Sequence, residues 1–224
     1  MYEYINACAD KLVGFLAEPG ASRIEAESSG HVEDYAWLMK RLRDVNVSEN
    51  TEFQRRYKHF WAMNVARLDG AYLNEYFSYL EASKNAGRTT SGAVDVAKHL
   101  YGFQTGKSGR QSLQFSFASK LVHMIDPTRP VYDRLVERFY FLPEPKGSGL
   151  GRLEELNESY EFFKREHARI LKLGLLDPAI AVFERRFSNL AITMTKEKII
   201  DSLIWGYVSW LAKGAVRDGS ITYC

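Results

Sequence analysis

The sequence predicts an all-α protein. Apolar side chains recur every three or four residues through most of the 224-residue chain, which is the period of a helix with one buried face. No segment of strand length alternates apolar and polar residues between turn signals, so the pattern does not favour a β-sheet. Proline and glycine separate the periodic segments, as they do between packed helices.

Four helices are expected in the first part of the chain. The first ends at Pro19-Gly20, Thr51 with Gln54 forms a capping-box pattern that opens the third, and Asp69 can cap the fourth. Their apolar stripes are Tyr4, Cys8, Leu12 and Phe15; Val32, Tyr35, Leu38, Leu42 and Val45; Phe53, Tyr57, Phe60 and Trp61; and Tyr72, Leu73, Tyr76, Phe77 and Leu80.

The second part of the chain predicts five more helices. Two of them, at about 111–125 and 130–140, flank the break at Asp126-Pro127, and Pro130 suits the first turn of the second helix. A loop rich in proline and glycine follows at 142–151, and helices are expected at about 152–173, 178–189 and 195–213. We interpret residues 1–224 as a single helical domain in which this loop is either a long connection or a boundary between two sub-lobes.

Composition excludes several classes of protein. Apolar residues make up 46% of the chain and charged residues 26%, which is typical of a globular protein, and the formal net charge of +2 neither requires nor excludes a nucleic-acid partner. Cys8 and Cys224 are the only cysteines, so no disulfide framework, zinc pattern or iron–sulfur cluster is expected, and no cofactor or metal is predicted. Without a long apolar run, we expect a cytoplasmic protein that does not contact a membrane.

The loop Gly102-Phe-Gln-Thr-Gly106-Lys-Ser-Gly109 is the most glycine-rich segment. A phosphate-binding P-loop needs four residues between its first glycine and Gly-Lys-Ser, whereas only three separate Gly102 from Gly106 here. Backbone N–H groups around Ser108, with the charges of Lys107 and Arg110, could instead dock a DNA phosphate. A flexible basic connector explains the same residues equally well.

Lys120, His123 and Asp133 carry the sharpest chemical argument. With 3.6 residues per turn, Lys120 and His123 lie on one face of their helix, and the turn at Asp126-Pro127 folds Asp133 back toward that face. An ammonium and a carboxylate that meet in this way could stabilise a developing sugar cation beside DNA. Spacing alone favours a structural role: a Lys120–Asp133 salt bridge or a helix cap at Asp133, with His123 satisfied by packing.

These residues also carry a family resemblance. A lysine on an apolar helix, a proline-containing turn and Pro130-Val-Tyr-Asp133 opening the next helix resemble the core of the helix-hairpin-helix DNA glycosylase superfamily. The chain is most similar to the divergent branch of α-glutamyl/putrescinyl-thymine pyrophosphorylase-like proteins, which is linked to modified DNA bases. Phe60-Trp61-Ala-Met63-Asn64 resembles an early helix of that branch, and Lys198-Ile-Ile-Asp201-Ser-Leu-Ile-Trp205 resembles its closing helix. The resemblance spans roughly 53–140 and 195–210.

The resemblance implies an all-α, helix-hairpin-helix glycosylase-like fold and a hydrolase that cleaves the N-glycosidic bond of a flipped-out base. Asp133 would be the catalytic carboxylate. Lys120 would be either an amine nucleophile or an electrostatic and orienting partner, and the second role is favoured because the hairpin glycines of such enzymes are absent before Lys120. Contacts to the substrate are assigned to Trp61, Asn64, His123 and Tyr132. Core packing is the favoured alternative for Trp61 and Tyr132, packing is the alternative for His123, and Asn64 could equally hydrogen-bond a buried backbone group.

Three functions follow as expectations. The first is a DNA glycosylase that removes a damaged or hypermodified base, such as a modified pyrimidine in phage DNA, and thereby serves antiphage defence. Arg129 and Arg134, with Lys107, Ser108 and Arg110, would then contact DNA phosphates. The second is a non-catalytic DNA-binding or protein-interaction module that keeps the ion pair as a structural lock. The third is an enzyme that transfers or rearranges modified bases. The last-helix residues Asp201 and Trp205 are interpreted as structural.

Overall fold

A computed structural model describes residues 1–18, 30–66, 68–86, 92–103, 111–190 and 193–213. Over these ranges the chain forms eleven α-helices, two 3-10 turns (Met63–Ala66 and Gly149–Arg152) and no β-strand, which confirms the all-α class. The helices are α1 (Tyr2–Ala7), α2 (Ala9–Ala17), α3 (His31–Asp44), α4 (Thr51–Phe60), α5 (Gly70–Asn85), α6 (Ala93–Tyr101), α7 (Phe115–Ile125), α8 (Arg134–Phe139), α9 (Leu153–Leu173), α10 (Asp177–Arg186) and α11 (Lys196–Lys213).

The first predicted helix is divided into α1 and α2. Cys8 leaves helical geometry, with φ −107° and ψ 17°, and separates the two segments. The predicted stripe through Tyr4 is therefore wrong at its start, because the Tyr4 side chain is exposed while Ile5 is fully buried. Beyond the break the pattern recovers, and Leu12 and Leu16 lie in the core.

The capping box predicted at Thr51 is displaced by one residue. Asn50 is the N-cap of α4, and its Oδ1 accepts a hydrogen bond from the backbone N–H of Phe53 at 2.8 Å. Thr51 is the first helical residue, and Gln54 donates to the carbonyl groups of Val47 and Ser48 instead of closing a box. The cap predicted at Asp69 is confirmed, since its Oδ1 accepts from the Tyr72 N–H at 2.8 Å.

Asn50→Ala should lower the free energy of unfolding by about 1 kcal/mol, because an N–H in the first turn of α4 loses its acceptor. Thr51→Ala is the matched control and should change stability by only a few tenths of a kcal/mol, because no cap bond is removed. Urea denaturation of the two variants measures both effects. A larger loss for Thr51→Ala than for Asn50→Ala would contradict this assignment of the cap.

Helix α6 was not predicted from the sequence. Its signal is short: the Asp95 side chain accepts a hydrogen bond from the Gly92 N–H at 3.1 Å, which defines the start of the helix. Val96 and Leu100 then lie buried one turn apart. The neighbouring glycine-rich segment obscured this nine-residue helix, which packs against α7 and α5.

The two helices around Asp126-Pro127 are shorter than predicted. Helix α7 begins at Phe115, and α8 begins at Arg134, so Pro130 is not in its first turn. Asp133 has extended backbone angles, φ −139° and ψ 142°, and its Oδ1 accepts from the Leu135 N–H at 2.9 Å. Asp133 is therefore the N-cap of α8, one position before the first helical residue.

Helices α7 and α11 are the structural centre. Every residue of α7 from Phe117 to Met124 is buried, as expected of a helix surrounded by protein on all sides. Helix α11 packs against α2, α8, α9 and α10. The buried apolar residues form one cluster that includes residues on both sides of the 142–151 loop. Among the described residues, no helix combines the length and apolar character needed to cross a bilayer.

Candidate functional site

The turn after α7 returns the chain toward Lys120. The Asp126 carboxylate accepts hydrogen bonds from the N–H and hydroxyl of Thr128, and the Arg129 N–H donates to the Asp126 carbonyl at 2.9 Å. Further along, the Tyr132 N–H donates to Ser119 Oγ at 2.9 Å, which fixes the strand-like approach to α8 against α7. These bonds carry Asp133 to the side of α7 on which Lys120 lies, as the sequence predicted.

Lys120 and Asp133 form a loose ion pair. The Lys120 Nζ lies 3.8 Å from Asp133 Oδ2, and it donates a hydrogen bond to the Trp61 carbonyl at 3.2 Å. The ammonium also lies over the rings of Trp61 and Phe117, 5.6 Å and 5.2 Å from their centroids. Lys120 is buried, whereas about a quarter of the Asp133 side chain is exposed. The pair therefore has its amine inside the protein and its carboxylate toward solvent.

Burial lowers the pKa of Lys120, because the charged form loses hydration inside the protein. The Asp133 and Asp201 carboxylates oppose this effect, and the nearby Lys198 ammonium adds to it. The net direction is downward, so Lys120 is easier to deprotonate than a lysine in water.

A second ion pair lies beside the first. On α11 the Lys198 Nζ is 2.6 Å from Asp201 Oδ2, and both side chains are almost completely buried. Burial acts to raise the pKa of the Asp201 carboxyl, but the charge and hydrogen bond of Lys198, together with His123 and His167, outweigh it and the pKa is lowered. The Lys198 ammonium also lies 5.3 Å from the Trp61 ring centroid, so both lysines face the same indole.

Both ion pairs line one pocket of about 80 Å³. Its charged walls are Lys120, Asp133, Lys198 and Asp201, and its aromatic walls are His31, Phe60, Trp61 and Trp205. This volume admits several water molecules, but it is smaller than the several hundred Å³ typical of ligand sites. The arrangement can hold a small polar group against two ammonium groups and two carboxylates, next to flat apolar rings.

Ala62 lies on the rim of this pocket in a left-handed conformation, with φ +56°. This region is uncommon for a residue with a Cβ atom, and such residues cluster at functional sites. The conformation ends α4 and directs the preceding Trp61 carbonyl toward Lys120.

The aromatic side of the pocket is a stack of three rings. The imidazole of His31, the first residue of α3, lies between Phe60 of α4 and Trp205 of α11. Its centroid is 4.7 Å from the Phe60 ring and 4.6 Å from the Trp205 ring, with interplanar angles of 23° and 11°. The surrounding protein lowers the pKa of His31 to about 3, so the ring is neutral at physiological pH.

The predicted site residues are only partly brought together. Lys120, Asp133 and Trp61 line the pocket. Asn64 is exposed on the 3-10 turn and does not line it. Tyr132 is buried, donates to the Glu137 carboxylate, and packs edge-to-face on a neighbouring phenylalanine of the core.

His123 is held in the core and does not line the pocket. Because the Arg129 carbonyl can only accept, His123 Nδ1 donates to it at 2.6 Å, and Nε2 accepts from the Tyr35 hydroxyl at 2.9 Å. Burial lowers its pKa to about 4. The sequence alternative in which His123 is satisfied by packing therefore matches its contacts.

The arginines assigned to DNA contacts are each paired with a carboxylate. Arg129 Nε lies 3.1 Å from Asp126 Oδ2, and Arg134 forms an ion pair with Glu144. Both arginine side chains are exposed, so these partners can be exchanged for phosphates. Lys107, Ser108 and Arg110 lie outside the described residues.

Five pocket residues were not assigned to the site from the sequence: His31, Phe60, Lys198, Asp201 and Trp205. A signal for three of them exists in α11, where Lys198, Asp201 and Trp205 recur at helical spacing on an otherwise apolar face. Charged residues are rarely buried unless they are paired, so two opposite charges one turn apart on such a face indicate an internal ion pair. Nothing in the sequence indicates that His31 joins them.

No group of three or more side chains suited to hold a metal ion occurs within the described ranges. Comparison of the chain with models of protein families, with curated proteins and with solved structures finds no significant match. Membership of the helix-hairpin-helix glycosylase superfamily therefore stays a prediction from the motifs, and the site must be argued from its own chemistry.

Acid should destabilise the protein through its buried histidines. His167 on α9 is buried with no hydrogen-bond partner at either ring nitrogen, and burial lowers its pKa to about 4. In the unfolded chain the His167 imidazole binds a proton near pH 6.5, whereas in the folded protein it does so only near pH 4. Each such histidine therefore subtracts up to about 1.4 kcal/mol from the free energy of unfolding per pH unit between about 6.5 and 4. His167→Leu should reduce that slope in urea denaturation, and an unchanged slope would contradict the assignment.

Proposed function

We propose that the protein is a DNA N-glycosylase that removes a damaged or hypermodified base and leaves an abasic site. The observation that carries the proposal is the shared pocket of Lys120 and Asp133, in which a partly exposed carboxylate lies beside a buried amine and aromatic walls. The motif resemblance supplies the reaction class, and modified pyrimidines of phage DNA are the substrates that its branch suggests.

The geometry of Asp133 suits this chemistry. Its Oδ1 is fixed by the cap bond to α8, and Oδ2 is oriented toward Lys120 at the pocket wall. When the N-glycosidic bond breaks, the base leaves with the bonding electron pair and positive charge develops on the deoxyribose. A carboxylate held beside C1′ stabilises that charge. Water then adds to C1′ and loses its proton, and the base takes up a proton, so the products are a free base and an abasic sugar.

Lys120 has a supporting role in this proposal. Its ammonium donates a hydrogen bond to the Trp61 carbonyl and lies over two aromatic rings, so it orients Asp133 and offers positive charge to the departing base. A base must be flipped out of the duplex to reach this pocket, and the pocket's flat aromatic walls suit a flipped ring.

A non-catalytic DNA-binding or protein-interaction module is the second candidate. The same contacts favour it: Lys120 is buried, Asp133 caps a helix, and the pocket is small. In that case the two ion pairs would fix the packing of α7, α8 and α11 and would do no chemistry.

Incubation of the purified protein with genomic DNAs that carry different base modifications separates the two candidates. An aldehyde-reactive probe should reveal abasic sites in at least one DNA, and mass spectrometry should identify the released base. DNA binding without any abasic site or released base, across unmodified, damaged and hypermodified DNA, would favour the module.

Borohydride should trap no covalent adduct between the protein and a DNA that it processes. A lysine nucleophile must reach C1′, whereas the Lys120 Nζ is hydrogen-bonded to Trp61 and lies between aromatic rings. Gel electrophoresis after borohydride treatment makes the measurement. An adduct that disappears in Lys120→Ala would overturn this expectation and make Lys120 the nucleophile.

A further inference from the structure

The position of His31 is unusual for a pocket-lining histidine. Its ring nitrogens accept or donate no hydrogen bond within the described part of the chain, and its ring is held by stacking between Phe60 and Trp205. His31 is of intermediate exposure as a residue, and its side chain lines the pocket. A ring held only by its two faces leaves its place without breaking a hydrogen bond.

The two rings around His31 form a slot for a single flat group. Centroid separations of 4.7 and 4.6 Å with small interplanar angles are offset-stacked geometry, and they leave room for one planar ring between Phe60 and Trp205. The bases of nucleic acids stack on aromatic side chains in the same way. The slot opens onto the pocket with Lys120, Lys198, Asp133 and Asp201, whose charges can read the polar edge of such a ring.

Size supports an exchange of rings. The pocket of about 80 Å³ is too small for a nucleobase while His31 fills the slot, and it is enlarged by the volume of the imidazole once His31 moves away. The backbone is closely packed at this point, because a Cβ atom on Gly30 would lie 2.3 Å from the Ala17 carbonyl oxygen. The exchange therefore requires a movement of the His31 side chain and not of the start of α3.

We propose that the slot between Phe60 and Trp205 binds a planar heteroaromatic ring, and that His31 occupies the slot as a stacked plug that this ring displaces. That the ring is a nucleobase rests on the proposed function. The slot itself rests on the stacking geometry. His31 then acts as a specificity device: it keeps small solutes out of the slot until a ring with two flat faces competes for it.

Calorimetric titration of the full chain with thymine, cytosine and adenine tests the proposal. 5,6-Dihydrothymine is the matched ligand control, because it keeps the polar edge of thymine and loses the flat aromatic ring. His31→Ala should bind at least one planar base about tenfold more tightly than the parent chain does. Its affinity for dihydrothymine should not exceed that of the parent chain. His31→Phe keeps a stacked plug and should show no gain, and His59→Ala is a control outside the pocket.

Phe60→Leu introduced together with His31→Ala should remove the gain, because one face of the slot is lost. Equal affinities of the parent and His31→Ala for all three bases, or equal gains for thymine and dihydrothymine, would refute the slot. If His31→Ala does not fold, as judged by circular dichroism, the test is made on the parent protein by NMR spectroscopy. Its His31 C–H resonances, shifted by two neighbouring rings, should move toward free-histidine positions on saturation with a base, and resonances that stay in place would refute displacement.

The outcomes separate this inference from the proposed function. Ring binding with displacement of His31, but no abasic site in any DNA, would retain the slot and reject the glycosylase. Release of a base from DNA by a protein whose His31 resonances do not move would retain the glycosylase and reject the plug.

Discussion

Asp133→Asn is expected to lower the rate of base excision by about 10²–10³-fold while the protein stays folded. The substitution removes the negative charge that opposes the sugar cation, but asparagine is an equally good N-cap, so the bond from the Leu135 N–H to the side chain is kept. Lys120 keeps its hydrogen bond to the Trp61 carbonyl in this variant, and the loss of the Asp133 charge lowers its pKa further. Single-turnover assays on a DNA that the parent protein processes measure the effect.

Asp69→Asn is a closely matched control for this variant. Asp69 caps α5 through Oδ1, which accepts from the Tyr72 N–H three residues on at 2.8 Å, whereas Asp133 Oδ1 accepts from the Leu135 N–H two residues on at 2.9 Å. Asp69 does not line the pocket. Both variants should unfold at nearly the parent urea concentration, and only Asp133→Asn should lose activity. Parent-like excision by Asp133→Asn would remove Asp133 from the chemistry, and a loss of activity in both variants would point to a general effect on the fold.

Much of the fold could be predicted from the sequence because helical periodicity is a local signal. Asp69 was recognised as a cap, and α9 and α11 were placed within about one residue, since their stripes are long and regular. The errors lie where tertiary packing competes with local pattern. Cys8 interrupts an otherwise continuous stripe, and α6 is too short for its period to stand out beside a glycine-rich segment.

Only part of the candidate site could be predicted from the sequence, and the reason differs from the one that limits prediction of the fold. Lys120 lies on α7 and Asp133 caps α8, the next helix in the chain, so the approach of the two side chains follows from local geometry. His31 and Trp205 meet only because α3 and α11 are packed together, and such a long-range contact leaves no trace in a single sequence. The sequence shows Lys198 and Asp201 as charged residues on an apolar helix face, and the structure adds that both are buried as an ion pair.

Burial also explains why the second ion pair matters for interpretation. A buried pair contributes little net stability against an apolar replacement, because both ions lose hydration, yet removing one partner is strongly destabilising. The two lysines and two carboxylates of this pocket therefore do not demonstrate a stabilising role. Variants that keep the protein folded can separate a role of these four residues in chemistry or recognition from a structural role.

Asp201→Ala should lower the free energy of unfolding by about 3–5 kcal/mol, because Lys198 would remain as an uncompensated charge in the core. The double variant Lys198→Met, Asp201→Leu removes both charges and should be close to the parent or more stable. Glu161→Ala on the exposed face of α9 is the control: it removes a surface partner of Lys164, 2.8 Å away, and should cost less than about 1 kcal/mol. Urea denaturation at neutral pH measures all three.

The pH dependence of the stability of these variants is a second test of the Lys198–Asp201 ion pair. The folded-state pKa of Asp201 is lowered below its unfolded value, so its stabilisation is present above the unfolded pKa of about 3.9 and is lost as pH falls through the folded pKa. The double variant should therefore lose less stability than the parent below about pH 4. If Asp201→Ala unfolds at the parent urea concentration, the pair is hydrated and not buried. If the double variant is stable but no longer releases a base from DNA, the pair serves the reaction or the bound ring, because its structural contribution has been replaced by apolar packing.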